Sequence, residues 1–160
     1  MKAPSYGVVP AKVLGSQDGL SFLRAILAGR LPAPPIAKTL AFRLVAVEHG
    51  RAVFEGKPRT QFYNPLGTVH GGYTATLLDS AAACAVHSTL AKGEFYTSVE
   101  LKINFARPIG SAGGLLRAEG SIIHRGRTVA IAQAQLKDSA GKLYAHATTT
   151  CMIFAAKAAR

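Results

Sequence analysis

Apolar and polar positions along the chain change period several times, and each change predicts an element. Residues 1–15 carry neither a helical nor a strand period and read as a poorly ordered lead-in. Ser16 is placed to cap a short helix that has Leu20, Leu23 and Leu27 on one face and ends at Gly29. The proline-rich stretch Leu31 to Pro35 then reads as a stiff connector. Two strand-like runs follow, Thr39 to Glu48 and Arg51 to Lys57, joined at His49-Gly50. Arg59 to Val69 reads as an irregular loop.

From Gly71 to about Leu90 apolar residues occupy every side of a helical pattern, many of them alanine. Such a helix is buried over most of its surface, and small side chains allow a sheet to approach it closely. Strand signals return after Lys92-Gly93. Val99, Leu101, Ile103 and Phe105 alternate with Ser98, Glu100, Lys102 and Asn104, which predicts one apolar and one polar face. Leu115 to His124, Arg127 to Lys137 and Leu143 to Phe154 read as three further strands, with turns at Gly126 and at Asp138 to Gly141. Short connections imply antiparallel neighbours. The expected class is α+β, an antiparallel sheet wrapped around one long central helix.

Composition adds bounds to this picture. With 160 residues, 49% of them hydrophobic and 17% charged, the chain is one ordinary globular domain. The formal charge of +11 brings nucleic acid to mind. The basic residues are dispersed without a run of three, and no nucleic-acid-binding motif accompanies them, so no nucleic-acid partner is expected. A basic rim suits a polyanionic small ligand equally well. The N-terminus has no signal-peptide pattern, and the longest stretch free of Lys and Arg, Thr60 to Ala91, carries Asn64, His70 and Asp79. Neither a membrane span nor export is expected, and the expected location is cytoplasmic. Cys84 and Cys151 are read as buried free thiols. The sequence carries no metal-binding motif.

Of the three aspartates, Asp18 and Asp138 occupy a helix start and a turn, whereas Asp79 lies two turns into the most apolar helix. A carboxylate there loses hydration and must be compensated or have its pKa raised. Gly71-Gly72 opens the same helix, where free N–H groups and the positive dipole end suit an anion or a developing oxyanion. Plainer readings stay open at this level: Asp79 on a narrow solvent stripe, the glycines as a turn, His70 as a cap.

The run Asn64-Pro-Leu-Gly-Thr-Val-His-Gly-Gly-Tyr-Thr-Ala-Thr-Leu-Leu-Asp79 resembles the signature of the PaaI-like and THEM2-like (acyl-CoA thioesterase 13) hotdog thioesterases, and Ser98 to Pro108 is similar to the strand that follows their central helix. The resemblance covers about residues 37–155, leaving 1–36 as an N-terminal extension with a short helix and 156–160 as a C-terminal tail. It implies hydrolysis of an acyl- or aryl-CoA thioester, with coenzyme A as part of the substrate and no cofactor. It also implies a homo-oligomer, a dimer or dimer of dimers, with the site at the dimer interface. Asn64, His70 and Gly71 of one subunit would face Asp79 and Ser98 of the other, with Asp79 as general base or nucleophile and the Gly71 amide polarising the carbonyl. Gly72, Phe105 and the hairpin His124, Arg125, Gly126, Arg127, Thr128 and Val129 would bind the substrate, the two arginines on phosphates. Acyl specificity would be set near Tyr73, Leu77 and Val86. The competing reading is a non-catalytic acyl-CoA-binding module, which would have no need of a carboxylate at Asp79.

Overall fold

The computed structural model describes residues 5–10, 12–110 and 114–155; the tail at 156–160 lies outside them. The elements are α1 (Gly19–Leu27), α2 (Pro35–Thr39), β1 (Phe42–Glu48), β2 (Arg51–Gly56), a 3-10 turn (Thr60–Phe62), α3 (Gly71–His87), β3 (Glu94–Phe105), β4 (Leu116–Arg125), β5 (Val129–Asp138) and β6 (Leu143–Ala155). The six strands form one antiparallel sheet in the order β1-β2-β4-β5-β6-β3.

Two local readings change. The cap of α1 is Asp18, whose carboxylate accepts from the Ser21 N–H at 2.8 Å and the Ser21 hydroxyl at 2.7 Å. The proline stretch does not run straight into a strand. Pro35 is the first residue of the short helix α2, where its missing N–H costs nothing, and β1 starts only at Phe42.

The sheet wraps α3 because its inner face is made of small residues. Gly120 on β4, Ala132 and Ala134 on β5 and Ala147 on β6 share the buried side. Ala81, Ala82 and Ala85 of α3 have no solvent exposure. The closest approach is at Gly120, where an added Cβ would lie 2.2 Å from the Ala81 carbonyl oxygen and 2.7 Å from the Ala82 nitrogen. Both are backbone atoms of a helix locked in the core, so neither can swing aside.

The strict alternation expected for β3 fails at one point. A β-bulge between Ser98 and Glu100 inserts Val99 as an unpaired residue and shifts the phase of the strand. Ser98 lies opposite the buried Cys151, and Leu101 lies opposite the buried Thr149. Both therefore face α3, although the simple pattern assigns them to opposite faces. Val99 is turned out to solvent at 58% exposure.

Gly120→Ala is expected to lower unfolding free energy by roughly 1–3 kcal/mol, measured by denaturant unfolding. Gly7→Ala, where a Cβ meets only ordinary contacts of 3.8 Å and beyond, should leave stability nearly unchanged.

Candidate functional site

The N-terminus of α3 is held by its own loop. The Asn64 amide oxygen accepts from the Leu66 and Thr68 N–H groups at 3.0 and 3.2 Å, and its nitrogen donates to Thr68 Oγ1 at 2.9 Å. The polar groups of Asn64 are thus largely spent on loop shape, with one amide N–H left to present outward. His70 is the N-cap, its Nδ1 accepting from the Gly72 N–H at 2.9 Å. That bond commits the nitrogen to the helix and removes the Gly72 amide as a free donor. The Gly71 N–H has no acceptor among the described residues and sits at the positive end of α3. The Phe105 ring lies against Gly71, and a groove of about 340 Å³ opens there, lined by Val69, Gly71, Thr74 and the segment Phe105 to Ile109.

Asp79 is half-buried on the part of α3 that the sheet leaves uncovered, together with Ser80, Cys84 and His87. Burial raises the pKa of its carboxyl above the usual range, and the Ser98 hydroxyl partly opposes that by favouring the charged form. Ser98 Oγ also lies 3.8 Å from Cys151 Sγ. The bulge in β3 is what brings Ser98 to this side.

Asp79 and Gly71 belong to one helix, eight residues apart, which is about 12 Å along its axis. They cannot meet at one carbonyl within a protomer. The β4–β5 hairpin lies farther still, at the opposite end of α3. Arg125 there donates to Thr89 Oγ1 at 3.2 Å and pairs with Glu94 at 2.7 Å, and it also donates to the Gly126 carbonyl. The charge of Arg125, expected to meet a phosphate, is thus partnered by Glu94 within the protomer. Arg127 and His124 are exposed, and neither makes an ion pair among the described residues. The tip itself is pinned, with Gly126 N–H bonded to the Val129 carbonyl and Thr128 carbonyl accepting from Ile153 N–H, both at 2.8 Å.

Tyr73, Leu77 and Val86 are not among the residues lining the groove beside Gly71. They are buried in the core at 3%, 0% and 0% exposure, on the face of α3 turned to the sheet. Sequence reasoning missed the stripe Cys84 and His87 on the other side, which only the sheet's coverage distinguishes. Among the described residues no three His, Cys, Asp or Glu side chains gather as a metal site, and no helix is long and apolar enough to cross a membrane.

A single helix wrapped by a six-stranded antiparallel sheet, with an unpartnered amide at the helix start and a desolvated carboxylate on its open stripe, is the hotdog architecture of thioester hydrolases. The thioesterase superfamily model matches residues 66–145. Acyl-coenzyme A thioesterase 13 of Mus musculus is 34% identical over 108 residues, 67% of this chain and 76% of the relative. A 1,4-dihydroxy-2-naphthoyl-CoA hydrolase of Listeria monocytogenes is 25% identical over 68% of this chain and 86% of the relative. In structure the chain is similar to a phenylacetic acid degradation-related protein of Ralstonia eutropha JMP134, with TM-score 0.74 and 34% identity over 82% of this chain and 98% of the other. It is also similar to PaaI of E. coli, with TM-score 0.68 and 26% identity over 74% and 83%. The chain belongs to the thioesterase superfamily, as a PaaI-like, THEM2-like hotdog member, and is a thioester hydrolase.

Because its folded-state pKa is raised, Asp79 holds a proton more tightly in the folded protein than in the unfolded chain. Its contribution is favourable at low pH and is lost as pH rises through the folded value. Asp79→Asn is therefore expected to be more stable than wild type at neutral pH and to lose that advantage below pH ~4. Denaturant midpoints at the two pH values measure it, and a difference that does not change with pH would contradict this origin.

Proposed function

We propose that the protein hydrolyses an acyl- or aryl-CoA thioester to the free acid and coenzyme A, at a site built by two protomers. One observation carries this reading: the two groups suited to the chemistry, the free Gly71 amide and the desolvated Asp79 carboxylate, lie on one helix about 12 Å apart. Each protomer holds both halves of a site but no whole one. β3 supplies the means to join them. It is a 12-residue strand at the sheet edge, with β6 as its one neighbour. Antiparallel pairing of β3 with a second copy's β3 runs the two α3 helices in opposite senses, so the Gly71 end of one approaches the middle of the other.

In such a site the Gly71 N–H donates to the thioester oxygen as charge builds on it. Asp79, as the anion, either takes a proton from the attacking water or adds to the carbonyl itself. On the first path the C–S bond breaks and the proton taken from water leaves with the coenzyme A thiol. On the second the C–S bond breaks to release the thiolate and leave an anhydride on Asp79. Water then hydrolyses the anhydride to the free acid and the Asp79 carboxylate, its proton going to the thiolate. A raised pKa makes Asp79 a better proton acceptor than an ordinary carboxylate. Ser98 orients the carboxyl and water, and the remaining Asn64 N–H assists. His70 holds the amide in place as a cap. Arg127 and His124 are the groups of the hairpin available to the nucleotide. A coenzyme A substrate is supported by two similar proteins, one named for acyl-coenzyme A and the other for 1,4-dihydroxy-2-naphthoyl-CoA.

Asp79→Asn is expected to reduce kcat for acyl-CoA hydrolysis by about a hundredfold or more. Gly71→Pro removes the amide donor at a position where proline suits the helix, and a loss of about a hundredfold or more is expected. Co-expressing the two variants should restore activity that neither has alone, because hybrid dimers contain one intact site. A mixture as inactive as its parents would rule out the shared site.

A further inference from the structure

A bulge changes the faces of the residues on one side of it relative to those on the other, so its place along a strand decides which side chains turn inward. In β3 the extra residue is Val99, and Ser98 immediately precedes it. Ser98 and Leu101 can both face α3, three residues apart, only because Val99 is out of the ladder. With the bulge one position earlier, Ser98 would be the unpaired residue, and Val99 would take its place opposite Cys151.

Two side chains of β6 bracket the bulge. Cys151 lies opposite Ser98 and Thr149 opposite Leu101. Being two residues apart on one strand, both point toward α3. On one side of the bulge, Cys151 Sγ is 3.8 Å from Ser98 Oγ. On the other, the Thr149 hydroxyl donates to the Glu100 carbonyl at 2.6 Å, which belongs to the residue that resumes pairing after Val99. Thr149 is buried at 1% exposure, and its neighbours on that face, Ala132 and Ala147, are apolar. A hydroxyl in such a place costs free energy unless it is bonded. Valine has the same shape and no hydroxyl to satisfy. The bond that Thr149 makes goes to the backbone of another strand, at the one irregular point of β3. With the Glu100 peptide tied to β6, the unpaired residue is confined to Val99.

We propose that Thr149 is a positioning residue for the reaction: by holding the Glu100 carbonyl it fixes the bulge at Val99 and keeps the Ser98 hydroxyl turned to Asp79. The inference rests on the thioesterase reading above and adds to it the group that sets Ser98. Thr149 acts through the backbone of β3 and not on the substrate. Its loss leaves Asp79 in place on α3 but takes away the hydroxyl that orients it, so the effect falls on the chemical step.

The test is kcat and KM on a panel of acyl-CoAs for the full chain as wild type, Thr149→Val, Thr149→Ser, Ser98→Ala and the double variant Thr149→Val, Ser98→Ala. Thr149→Val is expected to lower kcat by roughly tenfold or more, with KM changed by less than about twofold. Thr149→Ser keeps the hydroxyl and is expected to restore most of the rate. In the Ser98→Ala background Thr149→Val should cost no further activity, because both act through one group. Thr149→Ala, also without the hydroxyl, is read in the same way should the valine variant fail to fold. The same fractional loss with and without Ser98, or a Thr149→Ser as impaired as Thr149→Val, would make Thr149 a residue of stability alone and overturn the proposal. Full activity in Thr149→Val beside an impaired Ser98→Ala would overturn it while leaving the thioesterase reading intact. A wild type inert on every acyl-CoA would overturn both.

Discussion

The fold depends on how closely α3 lies against the sheet. The helix backbone at Ala81 and Ala82 rests on Gly120 at a distance that admits no side chain, and rows of alanine on β5 and β6 extend the contact. With little side-chain volume between them, helix and sheet approach closely enough to exclude water along one face of α3. The opposite stripe remains open because a sheet bounded by β1 and β3 does not close around the helix. Both the buried core and the site follow from that asymmetry.

Asp79 lies at the boundary between these two faces. Its neighbours Leu77, Leu78, Ala81 and Ala82 are in the core, so it is desolvated, yet its own stripe is not covered by the protomer's sheet. A carboxylate in that position is unfavourable for the isolated fold, because burial disfavours its charged form. The bulge in β3 belongs to the same arrangement. By shifting the strand's phase it turns Ser98 toward Asp79 and Val99 outward at the free edge.

The N-terminal segment is part of this economy. α1 lies against the end of α3, where Gly19 replaces solvent at the Leu90 carbonyl and Phe22 covers the His87 ring.

The sequence by itself determined the element order, the burial of the central helix and the prominence of Asp79 and Gly71, because a glycine pair before an apolar helix and a lone carboxylate within it are local signals. It implied antiparallel strands but not their order: β3 lies at the edge beside β6 rather than beside β4, the strand that follows it. Other features were decided by tertiary structure. Arg125 is held by Glu94, 31 residues away. Tyr73, Leu77 and Val86 go to the sheet side of α3, and Cys84 and His87 to the side where His87 meets Phe22 and Tyr96, which a helix apolar all round does not distinguish. The face of Ser98 was set by a bulge that reads in sequence as unbroken alternation. In each case the deciding contact joins residues far apart in the chain, and local pattern carries no record of which partner will be there.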